Sequence, residues 1–187
     1  MTGMIMTGVV VAILLIVGIY TGATYNGLVK LKNAVEEGFS TMDVYLKKRW
    51  DLIPNIVESV KGYAKHEAQT LQNVISARNV RYGDMTEEEK MQANAELSRG
   101  LAAINVLAEQ YPDLKANQNF LDLNKQLQKT EEDIANARKY YNAVVRNYNN
   151  KIEMFPSSIV ANMFKFGKRQ MFVIEDEAEK EVVKVQF

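Results

Sequence analysis

The chain has 187 residues, 23 Lys and Arg against 23 Asp and Glu, one His, three Pro and no Cys. Zero net charge argues against binding nucleic acid through a broad basic surface. Without Cys there are no disulfides, thiolate metal sites, Cys nucleophile or lipidated-Cys anchor, and with a single His metal chemistry is poorly supplied, so no cofactor or metal is expected.

No charged side chain precedes Lys30. Val9–Tyr20 is nearly all aliphatic, and the wider segment Met4–Ala23 is long enough to cross a bilayer, since about 20 helical residues cover a hydrocarbon core of about 30 Å. A cleaved signal peptide would carry Lys or Arg ahead of the apolar run, and none is present; the segment reads as an uncleaved anchor, residues 1–24. Gly18 and Gly22 form a GxxxG within it and are candidates for helix packing in the membrane, against the plain alternative that Gly is common in such helices. Lys30, Lys32, Lys47, Lys48 and Arg49 follow the span and no basic side chain precedes it, which predicts the N-terminus outside and the C-terminal domain in the cytoplasm.

Leu28, Leu31, Val35, Met42 and Tyr45 recur at helical spacing, so a first helix is expected from the membrane to about Arg49. Trp50–Pro54 reads as a break, with Asp51 as N-cap and Pro54 in the first turn of a second helix. That helix carries Ile53, Ile56, Val57, Val60, Ala64, Leu71, Val74 and Ile75 inward and ends near Gly83. Thr86–Glu89 has the spacing of a capping box and opens a third helix, which buries Leu97, Leu101, Ile104 and Ala108 and stops at Pro112. In the fourth, Phe120, Leu127, Ile134, Tyr141, Tyr148 and Phe155 stand seven apart, with Leu123, Thr130, Ala137 and Val144 as partner positions; a strict seven-residue seam implies left-handed bundle packing. Phe155–Ser158 closes that helix and opens a short one through Phe166.

The fold class expected is all-α: an N-terminal transmembrane helix continuing into an antiparallel up-down bundle of about four long helices, residues 25–166, and a short tail, 167–187. Short connections make neighbours antiparallel, so the helices alternate away from and back to the membrane.

Alternating aromatics and cations at Phe164, Lys165, Phe166, Lys168 and Arg169 suit an interface with anionic headgroups, and Tyr25, Lys30 and Lys32 stand at the membrane exit; these eight residues are the candidate membrane interface. Tyr111, Pro112 and Asp113 form a turn at the far end of the bundle. With Lys47, Lys48, Arg49 and Trp50, placed at the same end if the first helix is unbroken, they are candidates for docking a partner; the plainer reading is side chains covering the core. His66-Glu67 fails the HExxH zinc pattern, because Thr70 stands where the second His is needed. Glu36-Glu37 and Glu131–Asp133 read as solvated charge rather than catalytic pairs. The Tyr-Asn pairs at 141–142 and 148–149 repeat seven apart, their rings fitting the seam.

The chain resembles the LemA family along nearly its whole length. The resemblance is carried by YNGLVKLKNAVEEGFSTMDVYLKKRWDLIPNIVESVKGYAKHE at 25–67, TLQNVISAR at 70–78, EQYPDLKAN at 109–117, TEEDIANARKYYNAVVRNYN at 130–149 and FPSSIVA at 155–161. Gly38-Phe39 stands where the family more often has Ala-Trp. The resemblance implies a bacterial cell-membrane protein with one N-terminal span and a cytoplasmic helical domain. It brings no established enzymatic activity and no catalytic residues; a branch of the family belongs to magnetosome membranes. The reading is a non-enzymatic scaffold or self-assembling membrane organiser whose partners are the lipid bilayer and further copies of itself. The alternative is an adaptor that binds and regulates another membrane protein, such as a protease or signalling component.

Overall fold

The computed structural model describes residues 1–63 and 81–172. Their structure is helical: α1 (Thr2–Lys61), a 3-10 turn at Tyr82–Asp84, α2 (Glu87–Gln110), α3 (Pro112–Lys115), α4 (Gln118–Glu153) and α5 (Ser157–Met163). Two compact units divide the described residues, one within Met1–Met42 and Ala137–Met171, the other within Asp43–Asn136 together with Phe172.

In the first unit the buried face of α1 carries Leu28, Val35, Phe39 and Met42, and that of α4 carries Tyr141, Val145, Tyr148 and Ile152. The helices are antiparallel. The rings of Phe39 and Tyr141 meet edge to face at 5.9 Å. A Cβ on Gly38 would stand 3.3 Å from Val144 Cγ2, so the two helices approach closely here and an added methyl would need Val144 to shift by a few tenths of an ångström. Val160 and Ala161 of α5 complete this core. Ahead of it, every residue from Met1 to Tyr20 is exposed. This stretch of α1 is long and apolar enough to cross a membrane.

In the second unit α1 contributes Leu46, Trp50, Ile53, Ile56, Val57 and Val60, α2 contributes Leu97, Leu101, Ile104 and Leu107, and α4 contributes Phe120, Leu127 and Ile134. Thr86 caps α2 as the spacing predicts: its hydroxyl accepts from the Glu89 N–H at 3.2 Å, and the Glu89 carboxylate accepts from the Thr86 N–H at 2.7 Å. Pro112 ends α2 and starts α3.

Three expectations change. The break at Trp50–Pro54 is absent: α1 runs through it as one helix of 60 residues, with Pro54 inside. Pro54 has no backbone N–H to give to the helix and its ring crowds the preceding turn, a cost of about 3 kcal/mol. Burial of Leu52, Ile53, Ile56, Val57 and Val60 on the same stretch outweighs it, at roughly 1.5–3 kcal/mol for each large side chain. Asp51 is not a cap; it pairs with Lys47 one turn back. Residues 53–61 therefore continue α1 without turning back, and α2 runs parallel to this part of α1, since Lys90 reaches Asp43 and Arg49 reaches Asn94 and Ser98. The remainder of the expected second helix, with His66-Glu67, and the tail beyond Phe172 lie outside the described residues.

The seven-residue seam of α4 also slips. Phe120, Leu127, Ile134, Tyr141 and Tyr148 are buried, but Phe155 lies beyond the end of the helix, 80% exposed. On the partner line Thr130 and Ala137 are followed by Val145 and Ile152 rather than Val144. A helix with 3.6 residues per turn drifts about 20° per heptad, and here the buried line follows the helix.

Candidate membrane interface

The first unit brings most of the predicted interface together. Tyr25, in the turn of α1 after the apolar stretch, meets Phe164 with ring centroids 4.7 Å apart and Phe166 at 5.8 Å. Tyr25, Lys32, Phe164, Lys165, Phe166, Lys168 and Arg169 line one open cleft of about 620 Å³, with Val29, Asn33, Tyr148 and Gly167 as further walls. Lys30 is exposed but is not among the lining residues.

The cleft depends on how α5 ends. The Phe166 N–H donates to the Ala161 carbonyl at 2.9 Å and the Lys165 N–H to the Asn162 carbonyl at 3.2 Å, with Lys165 at φ 57°. This closes the helix in the manner usually given to Gly, and it turns the chain back along α4. The returning strap is held by α4: Tyr148 Oη donates to the Gly167 carbonyl at 2.9 Å and Tyr141 Oη to the Gln170 carbonyl at 2.9 Å. Asn149 donates to the Arg169 carbonyl at 2.8 Å and accepts from the Arg169 N–H at 3.0 Å. Burial pushes the Tyr148 hydroxyl above its ordinary pKa, opposed by the Arg169 charge and reinforced by Glu36. It remains a donor at any physiological pH. Arg169 reaches Glu36 at 3.3 Å, Lys168 pairs with Glu153, and Lys32 approaches Glu36 at 3.7 Å.

The repeat Tyr141-Asn142 and Tyr148-Asn149 thus does more than fit a seam. The two tyrosines bury their rings and use their hydroxyls, with Asn149, to fix the basic strap. Asn149, Asn33 and Glu36 were not expected at the interface; the seven-residue Tyr-Asn spacing was the available signal for Asn149.

The predicted docking residues are divided. Lys47 and Lys48 are exposed, but Arg49 and Trp50 are buried in the second unit. Arg49, 2% exposed, donates to Asn94 Oδ1 at 2.6 Å and Ser98 Oγ at 2.9 Å. Its Nε lies 2.7 Å from Glu131 Oε1 with the N–H poorly aligned on that oxygen, so this contact is an ion pair rather than a good hydrogen bond. Burial lowers the guanidinium pKa and Glu131 partly restores it. Trp50 packs on Tyr82 at 5.4 Å. The Tyr82 hydroxyl donates to Asp43 at 2.6 Å, Asp43 also accepts from Lys90 at 2.8 Å, and Lys90 sits 4.9 Å over the Tyr82 ring. Burial and the Asp43 carboxylate push the Tyr82 hydroxyl pKa up. Both side chains are taken up in the packing of the second unit.

Nor do Lys47–Trp50 share an end with Tyr111–Asp113. Arg49 lies beside Asn94 and Ser98, more than twelve residues of α2 ahead of Tyr111. That turn follows α2, whereas Asn117, just after it, meets Tyr63 beyond the end of α1 at 2.9 Å. Pro112 and Asp113 are exposed and Tyr111 is half-buried. Gly18 and Gly22 have no neighbouring side chain within 4 Å. Among the described residues, no group of three His, Cys, Asp or Glu stands where it could hold a metal ion.

A family model described as LemA family matches residues 38–187. The chain is similar to Protein LemA of Metamycoplasma hominis (strain ATCC 23114 / DSM 25592 / NBRC 14850 / NCTC 10111 / PG21), 27% identical over 146 residues, which are 76% of this chain and 65% of that protein. The matched region thus spans a little under two thirds of that relative's length. With four fifths of its length matched by the family model, from the first unit's α1 through the end of the chain, the chain belongs to the LemA family.

Proposed function

We propose that this protein is a non-enzymatic, single-span membrane protein that self-assembles through its span and organises the membrane in which it sits. The observation that supports this most directly is the uncovered first third of α1: twenty exposed residues without a charged side chain, with Gly18 and, just after them, Gly22 open to any approaching helix. A bilayer satisfies the apolar surface, and small residues at i and i+4 permit close contact with a second span. Lys30 and Lys32, with no basic side chain before them, favour the cytoplasm for the helical body. Tyr25, Phe164 and Phe166 would lie at the interface, with Lys165, Lys168 and Arg169 at headgroup level.

The test is the mass of the full chain in detergent, beside that of Gly18→Leu/Gly22→Leu. The expected result is a defined homo-oligomer that falls to a smaller species in the double variant. A monomer for the unaltered chain would defeat the self-assembly reading. It would turn attention to the adaptor alternative, in which the protein stays small until another membrane protein is added.

A further inference from the structure

The first unit carries apolar surface that neither its core nor the span absorbs. Phe155, in the turn between α4 and α5, is 80% exposed; Ile159 and Met163, one helical turn apart on α5, are 60% and 59% exposed, and Met154 and Phe164 beside them are also exposed. On the other side of α5, Ser157, Val160 and Ala161 are buried, so the corner between α4 and α5 turns a single apolar edge outward.

Its position says what covers it. From the Phe39–Tyr141 contact, fourteen residues back along α1 reach Tyr25 and fourteen forward past the end of α4 reach Phe155. With the two helices antiparallel and rising equally, the end of α4 at Glu153 is about level with Gly27, and the turn that carries Phe155 follows beside Tyr25, the first aromatic after the apolar stretch. Phe164 closes the same corner onto Tyr25 at 4.7 Å. The edge is therefore continuous with the uncovered stretch of α1, and it is followed directly by Lys165, Lys168 and Arg169. Apolar side chains bordered by cations suit a leaflet with anionic headgroups better than a protein groove.

We infer that the α4–α5 corner is a second membrane contact, in which Phe155, Ile159 and Met163 enter the leaflet beside the span while the strap cations remain among anionic headgroups. The corner would fix the body at a set angle and depth, where a single span alone would leave it free to swivel. This rests on the reading of the apolar stretch as a span.

The chain has no Cys, so one substitution gives one labelling site. The full chain, in vesicles of phosphatidylcholine and phosphatidylglycerol, is spin-labelled at Ile159→Cys or Met163→Cys. Ile16→Cys serves as the reference within the span and Ser40→Cys, an exposed α1 site in the same unit, as the aqueous reference. Accessibility to oxygen and to a water-soluble nickel chelate is read at each. The inference expects the labels at 159 and 163 to favour oxygen, as at 16, and the label at 40 to favour nickel. Nickel-favoured labels at 159 and 163, with oxygen favoured at 16, would overturn the inference and leave the span intact. Nickel favoured at 16 would overturn the span reading itself, and the inference with it. Labels at 159 and 163 shielded from both reagents and broadened by a second label would mean that another copy covers the edge, and would also overturn it. Because both substituted side chains are exposed, the fold is not at stake; helical circular dichroism equal to the unaltered chain verifies this.

Discussion

Arg49 shows how a residue's role depends on what the fold places around it. In sequence it ends a Lys-Lys-Arg-Trp cluster, which suits an exposed docking site or a solvated helix end equally well. In the structure its guanidinium is buried and spread over Asn94, Ser98 and Glu131, on two other helices. Arg49→Met should cost about 3 kcal/mol, toward the low end for breaking a buried ion pair because Glu131 is partly exposed and regains water. Arg49→Lys should recover only part of this, since a single ammonium on a flexible stem lacks the planar fork that serves three partners. Thermal midpoints of the full chain in detergent measure both. Lys165 makes the opposite case: it holds φ 57° where Gly would be unstrained. Lys165→Gly should raise stability by about 1 kcal/mol, read from the same midpoint. Neither role was legible in sequence, because one depends on partners 45 and more residues away and the other on a backbone angle.

At the scale of the element, local signals were legible and competing ones were not. The capping box at Thr86–Glu89 was readable because both partners lie within one turn. The hydrogen bond from the Thr86 backbone N–H, and after it the Thr86 side chain, hold the Glu89 carboxyl below its ordinary pKa. A carboxyl depressed in the folded state stabilises at pH above its unfolded value, and that contribution is lost as pH falls through the folded one. Protection of the Thr86 amide from exchange should thus fall on acidification through and below the ordinary carboxylate range. Glu89→Gln, which can still accept the bond but does not titrate, should remove this pH dependence. Pro54 went the other way. Proline after an N-cap candidate is the ordinary start of a helix, and only the burial of five neighbouring apolar side chains shows why α1 tolerates it. Pro54→Ala should stabilise by about 2 kcal/mol, by supplying a backbone N–H at position 54 and removing the ring's crowding. If Pro54 instead began a helix, the substitution would be neutral or harmful. Denaturant midpoints decide between them. Phe155 was misplaced for a related reason: seven-residue spacing continues in the sequence past the point where α4 stops.

For the molecule as a whole, the helical class and the apolar stretch were readable from periodicity and from the missing charge before Lys30. The basic strap was legible as alternating aromatics and cations, but what fixes it was not, since its partners are backbone carbonyls that Tyr141, Tyr148 and Asn149 reach across the first unit. These features support the proposed account: a helical protein held by one membrane span, with the aromatics and cations of its first unit at the membrane surface. The span and its direction are the centre of that account. They are tested by placing one Cys at Thr2 and, in a second variant, at Ser40, then treating intact bacterial spheroplasts with a membrane-impermeant maleimide. The account predicts that the Thr2→Cys chain is labelled on intact cells and the Ser40→Cys chain only after permeabilisation. Equal labelling of both from the same side would contradict the span, and the reverse pattern would contradict the cytoplasmic placement of the body.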